Sequence, residues 1–220
     1  MKKRLKQLLT GFMSLVLLFS AITITASAES APPPYADAER VTDDGIGYIR
    51  MRTTPYAKDD IIKISYVLYD SEVGRANDII IPEEIEGLPV TRIGDYAFSG
   101  LDMTSVTIPA SIEIIGIRAF GGCKSLITVN FPKEDSSKLY HLNMEVFAGC
   151  KNLSTVNNIP DSLKTIGDRA FLNCESLCDF TIPDSVETIG TQAFAGCYNL
   201  NELHLPANLV NIGDNAFYGS

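Results

Sequence analysis

The sequence has few of the residues from which enzyme active sites are usually built. Only two histidines, His141 and His204, occur in 220 residues. No serine-nucleophile motif, H-E-x-x-H motif, P-loop or G-x-G-x-x-G motif is present. Two scattered histidines do not make a catalytic triad with the serines of the chain. We therefore predict no catalytic residues, no metal and no cofactor, and we expect the protein not to be an enzyme.

Positive charge is also scarce. The chain has 18 Lys and Arg against 27 Asp and Glu, for a net charge of −9. Four of the cations, Lys2, Lys3, Arg4 and Lys6, precede an apolar run from Leu8 to Ala26 and the small residues Ala26-Ser27-Ala28. This order is typical of a secretory signal peptide, residues 1–28, cleaved after Ala28. A retained membrane anchor is the less favoured alternative.

Removal of the signal peptide leaves the mature chain more acidic still. Such a chain is a poor match for nucleic acid or for an anionic membrane surface. We therefore expect a secreted or cell-surface protein with no nucleic-acid partner and no integral membrane span after cleavage.

What the chain does have is an internal repeat. One proline recurs after each strand-like run, at positions 82, 109, 132, 160, 183 and 206, and one phenylalanine recurs at positions 98, 120, 147, 171, 194 and 217. Both markers give a period near 23 residues. A unit this short cannot bury its own apolar residues, so we predict a solenoid of stacked units with one column of phenylalanines.

The unit reads approximately L-x-x-V-x-I-P-x-S-V-x-x-I-G-x-x-A-F-x-G-C-x-x. Alternating apolar residues predict one short strand ending at the proline. The glycine after the second isoleucine is replaced by Asn143 in the third unit, which favours a left-handed backbone position there. Asp95, Asp168 and Asp214 are placed to cap a short helical turn that ends in Ala-Phe. The predicted fold class is an α/β repeat solenoid, mostly β and irregular.

The repeats define the domain organisation. We assign residues 29–46 to a flexible, proline-containing lead-in, 47–78 to an N-terminal β cap, and 79–220 to a solenoid of about six units, the last one incomplete. Two units carry additions, near "EEIEGLPV" and "KEDSSKLYHL", which we interpret as loops on the same face. Ser220 occupies the cysteine position of the sixth unit.

Four of the five cysteines, Cys123, Cys150, Cys174 and Cys197, each follow the repeated phenylalanine by three residues. They predict a column of buried thiols that pack as small apolar groups. Zinc binding is disfavoured because no C-x-x-C pair occurs. Disulfides between neighbouring units stay open as a less favoured alternative. Cys178 lies off the column and is expected to be an exposed thiol.

The repeat resembles that of bacterial leucine-rich repeat proteins of the BspA-like type. The strand motifs "SLITVNFP" (Ser125–Pro132), "SLCDFTIP" (Ser176–Pro183) and "NLNELHLP" (Asn199–Pro206) carry the match, together with "TIGDRAFLNC" and "TIGTQAFAGC". The resemblance implies a right-handed leucine-rich repeat coil in a secreted or surface-displayed binding protein, often involved in adhesion. It implies no catalytic residues.

The candidate binding residues lie between the buried strand positions, where stacked units place them on one face. This candidate strand face comprises Ser105, Thr107, Thr128, Asn130, Thr155, Asn157, Asp179, Thr181, Glu202 and His204. Its expected partner is an extracellular protein or glycan. Two alternatives remain: a structural spacer, or the N-terminal repeat region of a larger secreted enzyme or surface protein.

Overall fold

The structure, a computed structural model, describes residues 40–41, 46–52, 60–67, 78–133, 137–178 and 180–220. All regular elements within these ranges are strands. They are β1 (Arg40–Val41), β2 (Ile46–Arg52), β3 (Asp60–Val67), β4 (Asp78–Ile80), β5 (Glu84–Ile85), β6 (Leu88–Ile93), β7 (Ser105–Thr107), β8 (Ile114–Ile115), β9 (Thr128–Asn130), β10 (His141–Leu142), β11 (Thr155–Asn157), β12 (Thr165–Ile166), β13 (Thr188–Ile189) and β14 (Asn211–Ile212). The predicted signal peptide and most of the lead-in lie outside the described residues.

The repeats contribute strands to two sheets instead of one. Within each sheet, the strands of successive repeats pair in parallel. The continuous sheet has the order β1-β2-β3-β6-β8-β10-β12-β13-β14, with β5 paired to β6. The short sheet has the order β4-β7-β9-β11. The prediction of one strand per repeat was therefore wrong for the first four units, each of which contributes strands to both sheets. The second strand forms at the x-Ile pair before the repeated glycine, where the isoleucine is buried and its neighbour faces outward.

The region before the repeats contains a β-hairpin. β2 pairs antiparallel with β3, with a register shift between Gly47 and Tyr48. β3 then pairs in parallel with β6, the first repeat strand of the continuous sheet. Backbone pairing thus joins the hairpin directly to the solenoid.

The first addition, "EEIEGLPV", is a β-hairpin and not an irregular loop. β5 pairs antiparallel with β6 through a two-residue turn, Glu86-Gly87. Both turn residues have positive φ, 54° and 75°, as the favoured two-residue hairpin turn requires. Residues 134–136 of the second addition lie outside the described residues.

The core lies between the two sheets and the turns that follow the repeated glycine. The predicted phenylalanine column is confirmed: the ring centroids of successive members from Phe98 to Phe217 are 5.0–5.5 Å apart with nearly parallel rings. The five members from Phe98 to Phe194 are fully buried. Each ring fills the space above and below its neighbours, so the column holds successive units together.

The repeated glycine has a different role from the one its replacement by Asn143 suggested. Gly116, Gly167, Gly190 and Gly213 do not have positive φ. A Cβ added at Gly190 would lie 2.5 Å from the Asp168 nitrogen, and one at Gly167 would lie 2.6 Å from the Leu142 oxygen. Close approach of neighbouring units explains the glycine. Asn143 instead uses its side-chain amide, which donates to the Ile115 carbonyl at 2.6 Å.

The segment after this glycine is a run of turns, and the predicted short helical turn is not seen in the described residues. Its backbone has positive φ two residues after the glycine in every unit, at Tyr96, Arg118, Glu145, Arg169, Gln192 and Asn215. The aspartates do not cap a helix. Asp95 and Asp168 instead accept hydrogen bonds from Ile117 N–H and Thr191 N–H of the next unit, both at 2.8 Å, because the turns leave these donors facing the preceding unit.

Candidate binding surface

Six residues of the candidate strand face lie where the sequence places them. The parallel register of the short sheet aligns Ser105 with Thr128 and Thr128 with Thr155. It aligns Thr107, Asn130 and Asn157 in a second column. All six are half-buried and flank a buried valine in each strand. The strands therefore present two polar columns on one surface.

Hydrogen bonds between side chains hold these columns in place. Asn157 Nδ2 donates to Asn130 Oδ1 at 2.9 Å. At the other end of the sheet, Ser105 Oγ donates to Asp78 Oδ1 at 2.6 Å. A hydrogen-bonded row of amides, hydroxyls and a carboxylate is a preorganised polar surface, of the kind that orients a polar ligand at low entropic cost.

The remaining four residues do not continue this sheet. Thr181, Glu202 and His204 are exposed and lie outside any strand, and Asp179 lies outside the described residues. Among the described residues, the short sheet ends at β11. The prediction that all five strand segments line up in one sheet was therefore wrong for Thr181, Glu202 and His204.

A groove lies where the short sheet ends. It has a volume of about 570 Å³. Five members of the candidate strand face line it together with residues that the sequence analysis did not single out. The five are Thr155, Asn157, Thr181, Glu202 and His204, and the others are Val156, Asn158, Ile159, Asp161, Cys178, Phe180 and Pro183. The surface therefore passes from a flat sheet in the early units to a groove in the last three.

The change coincides with one extra residue in the fourth unit. The strand leucine and the proline are six residues apart from Leu126 to Pro132, but seven apart from Leu153 to Pro160. The extra residue directly follows β11: Asn158 has a φ of 54°, and its side-chain amide donates to the Phe131 carbonyl at 3.1 Å. The extra residue thus follows the regular pairing of β11 with β9 and precedes Pro160. The spacing is a signal that the sequence analysis could have used.

The turn side of the solenoid carries a different, ion-paired surface. Glu145 bridges Arg118 at 2.8 Å and Arg169 at 3.6 Å, and Arg169 Nε donates to Gln192 at 2.9 Å. Lys151 pairs with Glu175 at 2.8 Å. All of these residues except Glu175 line a second groove of about 480 Å³, together with Lys124. Most of the charged side chains that line it are therefore paired.

The cysteine column is confirmed as a row of buried thiols without disulfides. All five cysteines are free, four buried and Cys178 exposed. Each buried thiol donates to the phenylalanine carbonyl of the preceding unit, at 3.0–3.2 Å. The Ser220 hydroxyl makes the same bond to Phe194 at 2.9 Å. Burial raises the pKa of the Cys174 thiol, and raises that of Cys197 to about 12, so these thiols are poor nucleophiles at neutral pH.

The described residues hold no group of three or more His, Cys, Asp or Glu side chains placed to bind a metal ion. Nor does any helix in the described part of the chain have the length and apolarity needed to cross a membrane.

Comparison with known proteins agrees with the repeat architecture. Residues 91–220 match the BspA type leucine rich repeat region, in six copies. No curated protein sequence matches the chain. Among solved structures, a leucine rich cell surface protein from Faecalibacterium prausnitzii is 26% identical with a TM-score of 0.66, covering 87% of this chain and 53% of its own.

Two further structures show the same fold. The T. pallidum leucine rich repeat protein is 26% identical with a TM-score of 0.58, and the match covers 84% of this chain and 86% of that protein. A leucine-rich repeat protein from Eubacterium ventriosum is 24% identical with a TM-score of 0.60, covering 73% of this chain and 48% of its own. The chain thus spans about half the length of the Faecalibacterium and Eubacterium proteins. The family match, the six stacked units and the phenylalanine column together show that this chain belongs to the BspA-type leucine-rich repeat family.

Proposed function

We propose that this chain is an exported, non-catalytic binding or adhesion module that holds an extracellular protein or glycan on its strand face. The observation that carries the proposal is the in-register alignment of half-buried polar residues across β7, β9 and β11, continued by the groove beyond β11. Rigid, extended polar surfaces of this kind suit the recognition of large ligands.

Export and surface display are part of the proposal. They are supported by the signal-peptide pattern of residues 1–28 and by the likeness to a protein described as a cell surface protein. The absence of catalytic motifs and the high pKa of the Cys174 and Cys197 thiols favour a binding role over a catalytic one.

The test is a screen of the chain without its signal peptide against extracellular-matrix proteins and a glycan array. A Thr128→Arg/Asn130→Arg variant should weaken the binding found, because two bulky cations then project from the middle strand of the short sheet. The matched control is Thr165→Arg/Thr188→Arg, which changes two half-buried residues paired in register on the continuous sheet. Equal effects of the two variants would contradict a ligand on the strand face.

The alternative, a structural spacer or the repeat region of a larger secreted enzyme or surface protein, is kept because the chain spans only 53% of its cell-surface relative. A spacer should show no saturable binding in this screen, and turnover of a substrate by the purified chain would overturn the non-catalytic assignment.

A further inference from the structure

The groove on the turn side of the solenoid is not used by the proposed function. It lies on the turns of the second to fifth units, and we call it the turn-side groove. Two columns of side chains line it. One column follows the repeated glycine by two residues, and the other follows the repeated phenylalanine by four. In the groove these columns supply Arg118, Glu145, Arg169 and Gln192, and Lys124 and Lys151.

The base of the turn-side groove consists of small residues whose backbone N–H groups are already used. Gly122 N–H donates to the Ala148 carbonyl at 2.8 Å, and Gly149 N–H donates to the Leu172 carbonyl at 2.7 Å. Ala148 N–H donates to the Glu145 carbonyl at 3.0 Å. A ligand therefore finds no free main-chain donor in these residues, so its recognition depends on side chains.

The charge of the turn-side groove is opposite to that of the chain. Its lining has four cations, two arginines and two lysines, and one carboxylate, Glu145, whereas the chain has a net charge of −9. Lys151 pairs with Glu175, which does not line the groove, at 2.8 Å. Lys124 forms no ion pair within the described part of the chain. Cations therefore outnumber carboxylates here even when Glu175 is counted.

The Glu145 carboxylate positions the two arginines without using up their donors. Its side chain is only 18% exposed, it accepts a hydrogen bond from Arg118 at 2.8 Å, and its second oxygen lies 3.6 Å from Arg169. Arg169 Nε also donates to Gln192 at 2.9 Å. Because a guanidinium group has five N–H donors, most of them stay available. The two guanidinium groups are thus held in place for a ligand.

Asn173 adds a polar group that the stack does not require. It lines the groove at a position where the other five units have a glycine with positive φ, and its own φ is 58°. Glycine adopts this conformation at least as readily. The Asn173 side-chain oxygen lies 2.5 Å from the place that a Cβ at Gly196 would take. Within the described residues, the side chain of Asn173 forms no hydrogen bond, so its amide is available to a ligand.

We propose that the turn-side groove binds an anionic glycan chain that carries sulfate or carboxylate groups along its length. Guanidinium groups bind such planar or multidentate anions through paired N–H groups, and lysines add point charges. The Asn173 amide can bond sugar hydroxyls. Lys124 and Lys151 come from neighbouring units, whose phenylalanine rings are 5.3 Å apart, so a chain with repeated charges meets several cations at once. This second site goes beyond the proposed function.

The first experiment measures binding of fluorescently labelled oligosaccharides to the chain without its signal peptide, by fluorescence anisotropy. The probes are a dextran sulfate oligomer, an oligogalacturonate and an uncharged isomaltooligosaccharide. We expect saturable binding of a charged probe, at least about tenfold tighter than that of the uncharged one and weaker at higher salt. Binding of only one charged probe supports the proposal and identifies the anionic group. Binding of neither overturns it.

A charge-matched pair of variants locates the binding. Lys124→Gln/Lys151→Gln should bind the charged probe about tenfold more weakly. The control is Lys138→Gln/Lys164→Gln, which removes the same charge from two lysines that pair with glutamates outside the groove. It should bind nearly as the parent chain does. An equal loss in both variants would show that only the net charge of the protein matters, which overturns the site.

A second pair of variants tests the side-chain amide. Asn173→Gly keeps the positive φ and should bind the charged probe roughly fivefold more weakly, because one hydrogen bond to the sugar is lost. The control is Asn158→Gly, a change of the same kind in the first groove, which should leave the affinity unchanged. Urea denaturation checks that both variants fold. Unchanged affinity of Asn173→Gly would contradict the assignment of a glycan.

Lysine acetylation reports the site directly. A saturating charged probe should slow acetylation of Lys124 and Lys151, measured by mass spectrometry, but not that of Lys138 and Lys164. Equal protection of all four lysines overturns the proposal. So does equally tight binding of an oligoglutamate peptide or of single-stranded DNA, because the ligand class would then be any polyanion and not a glycan.

The strand-face proposal fails or holds independently. Thr128→Arg/Asn130→Arg leaves the lining of the turn-side groove intact, so the charged oligosaccharides should bind this variant at least as well as the parent chain. A charged oligosaccharide that loses binding to this variant but not to Lys124→Gln/Lys151→Gln lies on the strand face. That result supports the proposed function and overturns the turn-side site.

Discussion

The two sheets of the solenoid respond differently to the same repeat. The continuous sheet keeps its register through β12, β13 and β14, whereas the short sheet stops at β11. On the continuous side, the units approach so closely that a methyl group at Gly190 would lie 2.5 Å from backbone. On the side of the short sheet, the fourth unit accommodates one additional residue, Asn158.

The difference shows how a repeat protein can acquire a local site without losing its scaffold. The phenylalanine column, the close glycine contacts and the buried thiols maintain the stack from one side. These contacts recur in the last units, where the short sheet has already ended. The groove lies where the fourth unit has its extra residue, Asn158.

The largest expected effect tests whether the phenylalanine column supports both sheets. Phe171 stacks on Phe147 and Phe194. Its ring also meets Phe180, which lines the groove, edge-on, with the two ring centroids 4.9 Å apart. Phe171→Ala should lower the free energy of unfolding by about 3–5 kcal/mol, because it leaves a cavity between two units. Urea denaturation measures the change. Phe217→Ala, at a half-buried ring, should cost clearly less, and a loss under about 1 kcal/mol for Phe171→Ala would contradict the role of the column.

The next effect tests the close approach on the continuous side. Gly190→Ala should lower the free energy of unfolding by about 1–3 kcal/mol, because the new methyl group meets the backbone of Asp168 and Gly167. The control is Thr191→Ala, an adjacent change that adds no atom at the contact. Thermal or urea unfolding compares the two variants. If Gly190→Ala left the free energy of unfolding unchanged, the units could separate here as they do beside the end of the short sheet.

The sequence periodicity was sufficient to predict the features that depend on stacking alone. The columns of Phe98 to Phe217 and of Cys123 to Cys197 recur at fixed spacing, and any stack of equal units buries them in rows. The same reasoning placed Thr128 beside Thr155 and Asn130 beside Asn157. These residues need no information beyond the period.

Features that depend on contacts between units were not predictable in this way. A repeated glycine indicates either positive φ or close approach, and only the position of the neighbouring backbone distinguishes them at Gly167 or Gly190. The glycine two residues after the phenylalanine, replaced by Asn173 in the fourth unit, is the one with positive φ. The groove lies at one extra residue, Asn158. The spacing from the strand leucine to the proline reveals this residue, but the spacing from the proline to the phenylalanine does not.

A pH-dependent effect tests the buried thiols. The pKa of Cys197 rises from its ordinary 9.0 to about 12 on folding, so the folded chain holds this proton more tightly than the unfolded chain. Stability is therefore complete below about pH 9 and falls as the pH rises towards 12, by about 1.4 kcal/mol per pH unit for each such thiol. Unfolding curves recorded between about pH 8 and about pH 11 give the slope of the free energy of unfolding against pH.

The control for this effect is Cys197→Ser. A serine can make the same hydrogen bond, as Ser220 does with Phe194, but it does not titrate in this range. The variant should therefore lose the share of the slope that belongs to one thiol. An identical slope in the variant and the parent chain would show that Cys197 is not held protonated by folding.

The smallest expected effect compares the two sides most directly. Deletion of Asn158 should raise the free energy of unfolding by about 1 kcal/mol, because new backbone hydrogen bonds such as Thr181 N–H to the Val156 carbonyl outweigh the lost bond from Asn158 to Phe131. Amide hydrogen exchange should slow at Thr181 in the deletion variant but not in Asn158→Gly. Unchanged exchange at Thr181 would mean that the seam is open for another reason. Slower exchange with higher stability would mean that the chain retains an open edge at a cost in stability, which is expected of a site kept for binding.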